Sequence, residues 1–200
     1  MKKFVYLASQ SPRRRQLLEQ LGVAYELLLP AADEDAEALE VVLPNEAPLT
    51  YVQRVTQLKL DAALQRLRDR KLPPAPVLCS DTTVALGRTI LGKPANHADA
   101  KHMLATLSGK THRVLTAVAL GTARARQQAI SISRVTFAPM TPAQIQAYVA
   151  SGEPMGKAGA YAVQGKAAAY ISGLSGSYSG IMGLPMFETA QLLQAVGFKL

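Results

Sequence analysis

Val77-Leu78-Cys79-Ser80-Asp81-Thr82-Thr83-Val84-Ala85-Leu86 restricts the fold more than any other stretch of the chain. It reads as a central strand with a charge in its middle. Asp is a poor strand residue, and an unpaired buried carboxylate is costly. Asp81 therefore needs a partner. One reading makes it a loop cap or the mate of a structural Arg; the other makes it a metal ligand or an activator of water. Ser80, Thr82 and Thr83 make the patch polar inside an apolar strand, which favours the functional reading.

The chain begins with a second unusual stretch. Phe4, Val5, Tyr6 and Leu7 suit a buried strand, and Ser11 with Pro12 then opens a helix, where proline at the first position loses nothing. Leu17, Leu18 and Leu21 give that helix an apolar stripe, and Gly22 stops it. Its first turn carries Arg13, Arg14 and Arg15, although a helix start is already partly positive. Free N–H groups and guanidinium forks together suit a phosphate. A solvated basic face is the alternative.

Between these stretches, Tyr25 to Leu29 reads as a strand, followed by an acidic loop from Asp33-Glu34-Asp35 through Glu46. The loop is either solvated or supplies a carboxylate to a divalent cation. From about Thr50 to Arg70, Val52, Val55, Leu58, Ala62 and Leu67 form the apolar stripe of a long helix, with Lys59 beside it. The prolines at 73, 74 and 76 make a stiff connector.

Gly87-Arg88-Thr89-Ile90-Leu91-Gly92-Lys93-Pro94 has the spacing of a P-loop, but Pro94 stands where Ser or Thr must hold magnesium. Strand, turn and strand fit better, with Lys93 on a loop stiffened by Pro94 and able to reach a phosphate as a point charge. Ala100, Met103, Leu104 and Leu107 mark the next helix, closed by Gly109, and the spacing of His97 and His102 is wrong for a metal pair on one face. Thr111 to Gly121 and Gln127 to Phe137 read as two strands, with an apparent slip of phase near Ser133 that predicts a bulge. Thr141-Pro142-Ala143-Gln144 is a capping box opening a helix to about Ser151.

Gly152 to Pro185 is rich in glycine yet too apolar for a flexible linker. Backbone packed against a flat ligand would explain it, with Gln164 offering a donor and an acceptor to a base edge; a loop with short strands around Ala167 to Leu174 is the plainer reading. Pro185 to Val196 reads as a last helix with Phe187, Ala190, Leu193 and Val196 inward.

With 22 basic against 14 acidic residues, the formal charge of +8 points to an anionic partner, a nucleotide or a nucleic acid. A lone cysteine, Cys79, excludes an internal disulfide framework and reads as a buried thiol. The apolar run after Met1-Lys2-Lys3 is too short for a signal peptide, and no stretch approaches a membrane span. A soluble, cytoplasmic protein is expected. At 200 residues the chain suits one domain, 1–200, and not two.

Leu-Ala-Ser-x-Ser-Pro-Arg-Arg at 7–14, Ser-Asp-Thr-x-Val at 80–84, Leu-Gly-Lys-Pro at 91–94, Leu-Ser-Gly-Lys-Thr-His-x-Val at 107–114, Lys-Ala-Gly-Ala-Tyr-x-x-Gln-Gly at 157–165 and Gly-Leu-Pro at 183–185 together resemble the Maf nucleoside triphosphate pyrophosphatases. Each motif is weak alone, but all come in the family's order. Thr82 after Asp81, and Gln164 rather than Glu, resemble the branch acting on dTTP and UTP rather than on 7-methyl-GTP. The resemblance implies an α/β fold, a mixed twisted β-sheet flanked by helices and similar to inosine triphosphate pyrophosphatases, with the substrate cleft between two lobes.

The resemblance also implies hydrolysis between the α and β phosphates, with Mg²⁺ or Mn²⁺ as cofactor. Asp81 takes the general-base position; Ser9, Arg13, Arg14, Lys59, Thr82, Lys93 and Gln164 bind substrate or select it; and Glu34 with Asp81 holds the metal. An ordinary carboxylate is a weak base toward water at pH 7, so Asp81 would serve largely by holding the cation or aligning the water. Leu60 after Lys59, where the family commonly has Ala, makes the Lys59 assignment less secure. A homodimer is expected from the family alone. Two alternatives remain: a 7-methyl-GTP enzyme of the same family, or a non-enzymatic nucleic-acid-binding regulator of cell division, suggested by the charge and by the family's association with septum formation. With four Phe, seven Tyr and no Trp, the chain has few aromatics to stack on bases, which argues against the second.

Overall fold

In a computed structural model of the chain, which describes residues 3–31, 34, 37–123 and 125–200, the stretch around Asp81 is strand β3, Val77–Leu86, at the centre of a seven-stranded sheet. On one side of it lie β1 (Phe4–Leu7) and β2 (Ala24–Leu27), both parallel, with helix α1 (Pro12–Gln20) as the crossover that a parallel pair requires. On the other side β5 (Thr111–Gly121), β6 (Arg126–Phe137) and β7 (Ile171–Ser175) continue the sheet antiparallel. The mixed α/β fold expected from the resemblance is what the structure shows.

Alternate residues of β3 face two different layers. Val77, Cys79 and Ala85 pack with α2 (Pro48–Asp69), through Leu60, Ala63 and Leu64 at one end and Val52 and Val55 at the other. Leu78 and Val84 belong to the larger core beneath α1, α3 (His97–Leu107), α4 (Pro142–Ala150) and α6 (Met186–Ala195). Asp81 thus points to the α2 side, while Ser80 and Thr82 point toward the short helix α5 (Tyr178–Met182).

The sheet is incomplete at one place, and that place makes the site. β5 lines one edge of β3 from Val77 to Ala85. On the opposite edge β1 pairs only with Val77 and Leu78, and β4 (Thr89–Leu91) pairs only from Val84 onward. Residues 79–83 lie between them, at the carboxyl end of β1, where open α/β sheets commonly place their ligands. Both faces of β3 can reach a cleft that opens there.

Four local expectations need correction. No register break separates β5 from β6: Ser131 and Ser133 are themselves buried, Ile132 is exposed, and the irregularity falls between Thr136 and Phe137 against β7. Ser133 is satisfied inside because its hydroxyl accepts from the Ser177 amide at 2.9 Å and donates to the Ser177 carbonyl at 3.3 Å. Phe187 faces solvent at 70% exposure, and α6 instead buries Thr189, Leu192 and Leu193. Leu58 is also exposed, since the buried stripe of α2 runs through Val52, Val55, Thr56, Leu60 and Ala63. Ser11 is the N-cap residue of α1 by position, but its side chain makes no capping bond. The capping box at Thr141 and Gln144 is present as expected.

Asp33 and Asp35 of the acidic loop, and Arg124 of the turn before β6, lie outside the described residues. Among the described residues no helix is long and apolar enough to cross a membrane. Cys79 is fully buried, and burial pushes its thiol up to about 12, so it is an inert core residue.

Candidate active site

A cleft of about 1100 Å³ runs along the gap in the sheet, and its walls include Ser9, Arg13, Arg14, Glu34, Lys59, Asp81, Thr82, Lys93 and Gln164. Every site residue expected from the sequence therefore reaches one cavity, from six separate segments. Arg15 does not line it.

Asp81 has found a partner. Lys59, one side of α2, donates from Nζ to Asp81 Oδ1 at 2.6 Å and to Glu40 Oε1 at 2.7 Å. The other Glu40 oxygen pairs with Lys93 Nζ at 2.9 Å, so one carboxylate joins two cations from distant segments. Burial would raise the Glu40 pKa, but Lys59 and Lys93 outweigh it and hold the carboxylate below its ordinary range. Tyr51 of α2 fixes the backbone there by donating from Oη to the Glu40 carbonyl at 2.8 Å. Burial, with Asp81 and Glu40 nearby, pushes the Tyr51 phenol up to about 12, so it stays a donor.

The opposite wall is α1. Arg14 Nε donates to the Gly183 carbonyl at 2.7 Å and Arg13 Nε to the Met182 carbonyl at 3.3 Å. Those carbonyls end α5, where a helix leaves acceptors unused and carries partial negative charge. The arginines at the start of α1 are thus partly offset by the end of another helix. Burial lowers the Arg14 pKa and the Asp81 charge opposes that effect, which puts the guanidinium within electrostatic reach of Asp81. Arg14 Nη1 also donates to Ser9 Oγ at 3.3 Å, and the Ser11 amide donates to the same oxygen at 3.2 Å. Neither bond uses the Ser9 proton.

The third wall comes from the glycine-rich segment. Gly159 has φ +68° and donates its N–H to the Gly92 carbonyl at 3.0 Å, which seats the loop against β4 and Lys93. Tyr161 donates or accepts at 2.8 Å with His112 Nε2 and stacks edge-on against His112 and Phe137. Lys157, Tyr161 and Gln164 reach the cleft from this loop, and Gln164 is exposed. Burial, and then Arg13, lower the Lys157 pKa.

Glu34 stands apart from this arrangement. Both its oxygens are engaged by Arg66, with Arg70 at 3.8 Å, and those bonds hold it at about 2. Glu40, Tyr51 and Lys157 are the residues that sequence reasoning missed. Among the described residues, no group of three or more His, Cys, Asp or Glu side chains forms a ready-made metal cage. Mg²⁺ does not need one, since it binds through one or two carboxylates with substrate phosphates and water completing the shell. Asp81 and Glu40, which already share the cation of Lys59, fit that requirement.

Residues 4–196 match the family model described as Maf-like protein. The chain belongs to the Maf family. It is 76% identical to a protein of Albidiferax ferrireducens across the whole of both chains, and 72% identical to one of Polaromonas sp. JS666 across 98% of each. A protein of Cupriavidus metallidurans is 64% identical over 98% of each chain. All three relatives are named dTTP/UTP pyrophosphatase. The Staphylococcus aureus Ham1 protein superposes with a TM-score of 0.41 at 12% identity, over 68% of this chain and 72% of that one, too low a likeness to carry an argument. In this Maf protein the family motifs at 7–14, 80–84, 91–94 and 157–165 all border the same cleft.

Proposed function

We propose that this Maf protein hydrolyses dTTP and UTP to the nucleoside monophosphate and pyrophosphate. The observation that carries the reading is Asp81, 7% exposed, in a cleft whose other walls hold Arg13, Arg14, Lys59, Lys93 and Lys157. A triphosphate needs several cations from several directions, and such a cleft supplies them. The relatives' name supplies the substrate class.

Arg13 and Arg14 hold the phosphate chain from α1, each anchored through Nε to the end of α5 and Arg14 also through Nη1 to Ser9, so that the remaining N–H groups of the two forks serve the phosphates. Ser9 has its proton free for a phosphate oxygen. Lys59 and Lys93 neutralise charge that builds on the departing pyrophosphate. Asp81 orients the attacking water; Lys59 fixes the carboxylate that does so. The divalent cation implied for this family would be held by Asp81 with Glu40, and would supply Lewis-acid stabilisation of phosphate charge. Glu34 joins them only if its bonds to Arg66 open. Gln164, exposed on the loop across the cleft, meets the base edge.

A substrate panel with Mg²⁺ or Mn²⁺ tests the reading. Turnover of dTTP and UTP above 7-methyl-GTP is the expected result, with Gln164→Glu reducing that preference. Preference for 7-methyl-GTP by the wild type would overturn it. Homodimer formation, expected from the resemblance, and residence in the cytoplasm, expected from composition, are parts of the same proposal; sedimentation at micromolar concentration tests the first.

A further inference from the structure

Glu153 follows α4, at the foot of the loop that carries Lys157 and Gln164. Its carboxylate is held from both sides. Tyr148, buried on α4, donates from Oη to Oε1 at 2.9 Å, and the Lys166 amide donates to Oε2 at 3.0 Å. Burial would raise the Glu153 pKa, but the Lys166 amide, Tyr148 and the Ala167 amide outweigh it and keep the carboxylate below its ordinary range. An ionised carboxylate can only accept, so each of these bonds has one possible direction. The backbone of the same residue reaches the other arm of the loop, where its carbonyl accepts from Lys157 Nζ. Glu153 thus ties both arms of the loop to a helix outside the cleft.

Gly165 records how close the carboxylate comes. A Cβ at 165 would lie 2.3 Å from Glu153 Oε1 and 2.5 Å from its Cδ. The φ of Gly165 is −105°, outside the left-handed region, so the carboxylate and not the backbone angle is what requires glycine there. The Gly165 amide donates to the Ala162 carbonyl at 3.0 Å, which makes 162–165 a tight turn with Gln164 at its third position. Ala162 and Val163 are buried, while Gln164 is exposed and lines the cleft. The aim of Gln164 is therefore set by a turn whose far side rests on Glu153.

We propose that Glu153 is a positioning residue for base choice: its carboxylate braces the 162–165 turn from behind and so fixes where Gln164 meets the base. The inference rests on the dTTP/UTP reading, with the place given there to Gln164, and deepens it. Glu153 is not among the residues lining the cleft, so its effect passes through the turn.

The test compares kcat/KM for UTP and 7-methyl-GTP in the wild type, Glu153→Ala, Gln164→Ala and the double variant. Glu153→Ala should lower the UTP-to-7-methyl-GTP ratio by about tenfold, the worth of an aligned hydrogen bond to the base. Lys157 meets phosphates common to every substrate, so any shift of it cancels in the ratio. In the Gln164→Ala background the same replacement should change the ratio by less than about twofold, since the residue it positions is gone. A merely structural role would slow both substrates together, or lower the ratio equally in both backgrounds; either result overturns the inference. Should Glu153→Ala fail to fold by circular dichroism, Gly165→Ala pushes the turn off the same carboxylate and should lower the ratio in the same way. A folded Gly165→Ala with the wild-type ratio then overturns the inference. A wild type that cleaves neither UTP nor dTTP, or a Gln164→Ala variant with the wild-type ratio, overturns the underlying reading and the inference with it.

Discussion

Lys59 Nζ sits 2.6 Å from Asp81 Oδ1, and through it the longest helix of the protein is tied to the middle of its central strand. The ammonium also holds Glu40, so a single cation orders two of the carboxylates of the cleft. Leu60, the residue that made this assignment less secure from sequence, is fully buried against the sheet and turns Lys59 to the site.

Replacing Lys59 by Met should therefore harm both activity and stability. Asp81 would lose its hydrogen-bonded cation and Glu40 would keep only Lys93, at a cost of about 2 kcal/mol for side chains this little exposed. Loss of phosphate neutralisation and of Asp81 orientation should lower kcat/KM by about a hundredfold or more. Urea midpoints and steady-state kinetics on Lys59→Met check the two effects separately.

Glu40→Gln keeps the shape of the side chain and removes its charge. If Glu40 helps hold the divalent cation, the Mn²⁺ concentration for half-maximal binding should rise by about tenfold. Manganese titration followed by electron paramagnetic resonance measures that without relying on turnover; an unchanged titration would assign the cation to Asp81 and the phosphates alone.

His112 gives the protein a predictable response to acid. It is 2% exposed, and burial lowers its pKa to about 4 from the ordinary 6.5. The unfolded chain binds the proton more readily, so the contribution is fully present above pH 6.5 and is lost as pH falls from there toward 4. The total amounts to about 3 kcal/mol. Stability measured by denaturant should fall across that window, and His112→Gln should show a shallower slope by as much as one proton.

Gly159 is where the loop bearing Lys157 and Gln164 comes nearest to β3. A Cβ there would lie 2.8 Å from Val84 Cγ1, on backbone with φ +68°. Gly159→Ala should cost about 2–4 kcal/mol from crowding and the left-handed conformation together. It should also raise KM, because lifting the loop from Val84 displaces Lys157 and Gln164 from the cleft. Thermal melts and kinetics on this variant test both.

Much of the fold is written locally in the chain. The apolar run around Asp81, the spacing of Ala100, Met103, Leu104 and Leu107, and the capping box at Thr141 each specify their element within a few residues. What escaped was decided at long range. Ser131 and Ser133 look like outward residues because serine is polar, and only Ser177, 44 residues beyond Ser133, makes the second an inward one. Phe187 looks like a core residue, but neighbouring positions of α6 fill the available space. The family motifs at 7–14, 80–84, 91–94 and 157–165 come together around one cleft. Glu40 was hidden among the other acids of its loop, since nothing local separates a solvated glutamate from one that meets Lys59 and Lys93 in space.

The most direct test is the identity of the products from UTP. Purified protein with Mg²⁺ should yield UMP and pyrophosphate in equal amounts by anion-exchange chromatography, with Asp81→Asn folded and inactive. UDP with orthophosphate would contradict the account, because it would place the attack at the γ phosphate and leave the arrangement of Asp81, Lys59 and the α1 arginines without the role assigned to it.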